Sequence, residues 1–259
     1  MIRFGCALHL HHQTTDTPTL IYTRCTVAVQ HGIGVVRIPS QYALASPSAS
    51  VSFIRDFIAR HQLRLVIHAP MANLTALTQE LAQYAAFFSQ IACADATIIC
   101  HVPQLDTSTA TALDSLDPTI RRFLALEHTH QPPDAFSAFA DRVGIPPIFD
   151  WLHYHHANPW PYQPDITLCE WALRWRGRRP LWHMSTQSEY GAPGQHGTRI
   201  DSAVVIWLLR SLHALGIDTD IELESPAGIA AFHRLQHDIR HRAPDLSEVL
   251  TQGAGNARI

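Results

Sequence analysis

The chain has 259 residues, 46% of them hydrophobic, and a formal net charge of −3. That length suits one α/β barrel of about 250 residues, and the acidic balance excludes a global positive field that would gather nucleic acid. All 19 basic side chains are arginine, which excludes Schiff-base lysine, P-loop lysine and carbamylated-lysine chemistry, whereas histidine is frequent at 18 residues.

In chain order, short β-branched runs are expected as strands at Arg3–His9, Val35–Ile38, Leu63–His68, Thr97–His101, Phe123–Glu127, Pro147–Asp150, Leu181–Met184 and Asp220–Glu224. Between them, apolar residues at 3.6-type spacing predict helices, among them Ser52–His61, Asn73–Ala92, Ser137–Val143, Thr167–Trp175 and Asp201–Leu215. Gly216 closes the last of these, and Ser225–Pro226 opens a final helix. Eight strands, each followed by helical sequence, predict a single (β/α)8 TIM barrel. No repeat or linker divides the chain, so one domain is expected over residues 1–242, with a mobile tail over 243–259.

No run of eighteen apolar residues occurs, and Met1–Ile2–Arg3 leads directly into a strand, so a soluble, cytoplasmic protein is expected, with no membrane contact and no evident protein partner. The five cysteines, Cys6, Cys25, Cys93, Cys100 and Cys169, are scattered and odd in number, which argues for buried thiols over a disulfide framework.

The chemistry concentrates where strands stop. His68, His101, Glu127, Asp150 with His153, His183 and Glu224 each stand at or just beyond a strand's C-terminal end. Barrel enzymes collect their reacting groups on that face, and imidazoles and carboxylates are the donors that borderline divalent metals prefer. Inward carboxylates without a cation would repel one another. The set exceeds what one ion takes from a protein, so two or three divalent ions, Mn2+ or Zn2+, are expected. Glu127, Asp150 and Glu224 are the candidate catalytic carboxylates.

The segments RLVIHAP, IICHVPQ, FLALEHT, IFDWLHYH, LWHMSTQ, GQHGTRID and IELESPAG, in this order, resemble the successive motifs of the UV-damage endonucleases, a TIM-barrel family within the endonuclease IV and xylose isomerase superfamily. The resemblance runs from Met1 to about Ala230. It implies that His68, His101 and Glu127 hold one metal, that Glu127 bridges to a second held by Asp150, His183 and Glu224, and that His153 and His196 hold a third. It further implies manganese or a similar ion and cleavage of damaged duplex DNA beside the lesion. The sequence departs from the family pattern at His68–Ala69–Pro70–Met71–Ala72–Asn73, where a Gln and an aromatic that probe the damaged base pair are lacking. It departs again at Cys6 in place of a tyrosine, at Leu181 in place of a lysine, and near Ser46–Pro47, where a histidine is missing. The competing reading is a sugar isomerase or epimerase using one metal held by Glu127, Asp150, His183 and Glu224; a third is a barrel that binds without turnover.

For a DNA substrate, Arg37, Arg199 and the run Arg176–Gly177–Arg178–Arg179 are the arginines expected to hold phosphates. Trp160 and Tyr162, in the loop His155–Pro164, are expected to stack on a base or sugar. His128 and His130 are expected in solvent, His196 on a flexible loop, and His213, His233, His237 and His241 on helix surfaces.

Overall fold

The structure, a computed structural model, describes residues 2–6, 8, 17–43, 51–70, 74–91, 95–102, 104–157 and 164–246. Eight strands form a closed barrel in sequence order: β1 (Ile2–Cys6), β2 (Val35–Arg37), β3 (Arg64–His68), β4 (Thr97–His101), β5 (Leu124–Glu127), β6 (Pro147–Asp150), β7 (Leu181–Met184) and β8 (Thr219–Leu223). Every neighbouring pair is parallel, and β8 returns to pair with β1 through Ile2–Thr219 to Cys6–Leu223. The single (β/α)8 barrel expected from the element count is the observed fold.

Helices cover the outside because the outward strand residues are apolar and must be buried against them. Val51–Arg60, Leu74–Ile91, Pro133–Val143, Ser202–Ala214 and Gly228–Arg242 are the longer members of this ring, beside Thr17–Gln30 between β1 and β2. Most lie within a residue or two of the expected ranges. The exceptions are Pro133–Val143, which starts four residues before the expected Ser137 because Pro133 sits in the first turn, where its missing N–H costs nothing, and Pro164–Leu173, which starts three residues before the expected Thr167, again at a proline. Among the described residues no helix is long and apolar enough to cross a membrane. Structure continues past Arg242: Ala243 and Leu246 are buried, the latter in the short turn Pro244–Leu246. The rest of the expected tail lies outside the described residues, as do His9, Trp160 and Tyr162.

The barrel interior is stacked in three levels by the two-residue period of each strand. Val35, Val66, Ile99, Ala125, Ile148 and Leu181 form a middle apolar level, a buried cluster separate from the larger core under the helices. Below it, at the N-terminal ends of the strands, Arg3 grips Asp220 bidentately, Nε to Oδ1 at 2.6 Å and Nη2 to Oδ2 at 2.7 Å. Arg64, fully buried, donates to Asp220 Oδ2 at 3.0 Å and to Thr97 Oγ1 at 2.7 Å. Trp175 closes this pole, with the Arg64 and Arg178 guanidinia each 5.1 Å from its ring. Burial and the neighbouring Arg64 charge push the Arg178 guanidinium down to about 10.

This placement corrects the expectation for Arg176–Gly177–Arg178–Arg179. The run precedes β7, so it belongs to the N-terminal pole, the end opposite the strand-end histidines and carboxylates. Arg178 and Arg179 serve the barrel base there, where Arg178 bonds to the Arg122 carbonyl and Arg179 lies 3.7 Å from Asp220.

Candidate metal centre

Above the apolar level the same period turns the strand-end residues inward. β3 delivers His68, β4 His101, β5 Glu127, β6 Asp150 and β7 His183. On β8 the alternation Asp220, Glu222, Glu224 places three acids on one face, one in the basal level and two at the mouth. Glu222 was not among the expected ligands. It stands one residue before the strand end, and the sequence signal for it was the D-I-E-L-E alternation, read backward from Glu224.

Glu127 is the hub. Its Oε2 receives His101 Nε2 at 2.5 Å and its Oε1 receives His183 Nδ1 at 3.0 Å, with His68 Nδ1 3.8 Å from Oε2. Burial resists its ionisation, but His183 and His101 together outweigh that and hold the carboxyl well below the usual range. Asp150 shows the opposite balance: burial, then the charges of Glu224 and Glu127, raise its pKa well above the ordinary value. His183 is also fully buried; the charges of Glu224 and Glu127 overcome burial and raise its pKa.

Three groups of ligand atoms converge within 4.8 Å of one another: His68, His101 and Glu127; Glu127, Asp150, His183 and Glu224; and His68, His183, Glu222 and Glu224. The first two share Glu127. Several buried atoms at these positions make no hydrogen bond, namely Asp150 Oδ2, Glu224 Oε2, His183 Nε2 and His101 Nδ1. Buried polar atoms are normally satisfied. Orphan carboxylate oxygens beside imidazoles fit a divalent cation as the missing partner, and the donor set of nitrogen and oxygen suits manganese or zinc.

The third group is differently placed. Arg37 on β2 donates through Nε to Glu222 Oε1 at 2.6 Å and through Nη2 to Glu224. A fixed guanidinium thus occupies one oxygen of each carboxylate. Arg37, expected on phosphate, has its fork engaged within the protein. His68, 3.4 Å from Glu222 Oε2, is lowered first by burial and then by the Arg37 charge, which keeps it neutral and available as a donor.

His153 and His196 also reach the mouth. The His153 backbone N–H donates to Asp150 Oδ1 at 2.8 Å, and its Nδ1 bonds to the His128 carbonyl at 3.0 Å, which leaves Nε2 with the free lone pair. Its ring lies 6.0 Å from that of His196, whose Nδ1 is 3.8 Å from Glu224 Oε2. The loop carrying His196 is not the flexible segment expected. Gln187 and His196 form an antiparallel bridge, Ser188 N bonds to the Gln195 carbonyl at 2.7 Å, and the Gln187 side chain ties to Ala192 and Gly194. Gly194 allows this path with a φ of +83°. Arg199 at the end of the loop is exposed and lines a cavity of 740 Å3 with Gln187, Tyr190, Gln195 and Asp238.

His128 also departs from expectation. It is fully buried against Phe136 and Trp171, with Nε2 bonded to the Gln131 carbonyl at 2.8 Å, and burial pushes its imidazole down to about 4. Its position after Glu127 suggested solvent; the aromatic side chains of two surrounding helices enclose it instead. His130, His213, His233, His237 and His241 are exposed as expected.

No family model matches the chain, and no curated protein matches it. Solved structures do. The crystal structure of SacUVDE is similar with a TM-score of 0.75 at 17% identity, over 93% of this chain and 99% of that one. Endonuclease IV from Thermus thermophilus follows with a TM-score of 0.66 at 16% identity, over 97% and 100%. A D-tagatose 3-epimerase-like protein gives 0.59 at 14% identity, over 96% and 99%. At these identities the likeness shows the fold: a (β/α)8 barrel of the architecture common to these three structures.

Proposed function

We propose that the mouth of the barrel is a divalent-metal centre that hydrolyses a phosphodiester of damaged duplex DNA. The observation that carries this reading is the division of Glu127 between two ligand groups, one oxygen toward His101 and the other toward His183. A carboxylate shared in this way suits two adjacent ions, and two ions suit phosphoryl chemistry, where they generate a nucleophilic hydroxide and stabilise the entering and leaving oxygens. The likeness to SacUVDE and endonuclease IV supports it.

The chain's own residues would then divide the work. His68 and His101 hold one position and Asp150, His183 and Glu224 the other, with Glu127 between. His153, its Nδ1 fixed by the His128 carbonyl, keeps Nε2 for a ligand, with its ring 6.0 Å from that of His196 at the rim. Arg199, exposed at the loop end, is the arginine left to meet a phosphate.

The alternative is a sugar isomerase or epimerase, favoured by one observation: Glu127, Asp150, His183 and Glu224 form a complete, fully buried group that needs neither His68 nor His101. Incubation with Mn2+ and an oligonucleotide carrying UV photoproducts tests the first reading, with strand cleavage beside the lesion as the expected result. Epimerisation of a ketose at the same metal loading, with intact DNA strands, would replace it by the second.

A further inference from the structure

The helix Gly228–Arg242 carries His233, His237 and His241 at every fourth position, so they share one exposed face. Opposite His233 stands His31, directly after the helix Thr17–Gln30. His31 Nδ1 and His233 Nε2 are 2.9 Å apart, and their rings lie with centroids 5.0 Å apart at 67°. This pair lies outside the barrel mouth and plays no part in the chemistry proposed there.

Both side chains are held on rigid supports. His31 is fixed by its backbone bond to the Val27 carbonyl and by Gly32, whose φ of +71° ends the helix in a left-handed turn. His233 lies near the middle of a fifteen-residue helix, next to Phe232, which is buried in the core.

We infer that His31 and His233 form a second, surface metal site for an imidazole-preferring divalent ion such as copper(II) or nickel(II). Two metal–nitrogen bonds of about 2.0–2.1 Å on one ion hold their nitrogens roughly 2.9–3.3 Å apart, from right-angled to tetrahedral, so the two nitrogens need to move by only a few tenths of an ångström. The observed 2.9 Å is the length of the hydrogen bond that joins the two rings end to end, so an ion would take the place of the shared proton, with each ring turning to aim its nitrogen at it. Water completes the coordination, and His237, one turn along the same face, is placed to add a third nitrogen by a rotamer change.

The site would have a structural consequence. The two histidines come from the helices that flank β1, where β8 returns to close the barrel. An ion held between them would tie the first helix to the last across that seam and stabilise only the folded chain.

Untagged protein on a nickel-charged chelating resin tests this, because a resin-bound ion cannot enter the barrel mouth. Wild type should be retained, and His31→Ala and His233→Ala should each lose most of that retention. The double variant His237→Ala/His241→Ala should keep it. Retention of His31→Ala equal to wild type, or no retention of wild type, would overturn the assignment. Melting with the mouth saturated by Mn2+ gives a second readout. A hundredfold excess of Cu2+ over its Kd should raise the wild-type Tm by about 5–10 °C and that of His31→Ala by little. Equal rises in the two proteins would show that the pair is joined by a hydrogen bond only.

Discussion

Arg37 reaches over β1 to Glu222, donating through Nε at 2.6 Å between strands that are not neighbours. Gly5 is the β1 residue paired with both Val35 and Glu222, and a Cβ there would stand 2.6 Å from Val35 Cβ. The bare backbone lets β1 and β2 approach closely beneath the guanidinium.

Removing Arg37 leaves Glu222 buried and short of its cation. Arg37→Met should destabilise the chelated protein by about 3–5 kcal/mol. Mn2+ should recover more stability in the variant than in wild type, because a divalent ion can then take the vacated carboxylate oxygens. Urea unfolding with chelator and with Mn2+ reads both effects; a variant loss under about 1 kcal/mol in chelator would contradict the pairing.

Glu127→Gln should lower activity by more than about a hundredfold, beyond the loss typical of outer-shell changes at metal sites. Inward carboxylates read from sequence alone suggest that this change relieves repulsion and stabilises the metal-free protein. The structure reverses that sign, since Glu127 is held ionised by His101 and His183. The chelated variant should therefore melt lower than wild type.

Asp150→Asn should behave differently. Its carboxyl is already driven toward the neutral form by burial and by Glu224 and Glu127. The amide should cost the chelated protein less than about 1 kcal/mol, since a neutral carboxyl is replaced by a near-isostere. Metal affinity, read by titration, should fall sharply.

His128 gives a pH prediction. Burial holds it at about 4 in the folded chain, against about 6.5 when exposed. The unfolded state then binds a proton that the folded state refuses, so stability is full above about 6.5 and declines as pH falls toward 4. The loss attributable to this group is at most about 3 kcal/mol. His128→Phe should flatten that part of the profile in urea unfolding at pH 7 and pH 4.5; parallel profiles would show that other groups dominate.

Of the arginines expected on phosphate, Arg37 is engaged by carboxylates and Arg178 and Arg179 stand at the barrel base, which leaves Arg199 on the mouth side. Log affinity against log salt should fall with a slope of only about −1 to −2, at roughly −0.9 per phosphate neutralised. A slope steeper than about −4 would mean that a basic surface contributes which these residues do not provide.

The strand ends were legible because a parallel barrel repeats one message from strand to strand: an apolar run that reaches a polar residue at or beside its C-terminal end. His68, His101, Glu127, Asp150 and His183 all follow that rule. Glu222 is hidden because Glu224, two residues on, already supplies the polar strand end, and only the period of two reveals that the two share a face. Arg37 and His128 were misjudged for another reason. Whether a polar residue meets solvent, a substrate or another side chain depends on residues distant in sequence, here 185 positions away for Arg37 and Glu222 and 43 for His128 and Trp171. Local pattern carries no record of those encounters. Charge alone points the Arg176–Arg179 run toward phosphate, but its place just before β7 puts it at the opposite end of the barrel.

The layered interior makes the barrel an axial electric dipole. Arg3, Arg64, Arg178 and Arg179 crowd one pole around Asp220, while at the other the carboxylates Glu127, Glu222 and Glu224 meet Arg37 and His183. The apolar level between them keeps water from screening one end from the other. With Asp150 driven toward its neutral form and His183 toward its protonated one, an arriving divalent cation has to displace protons before these groups can hold it.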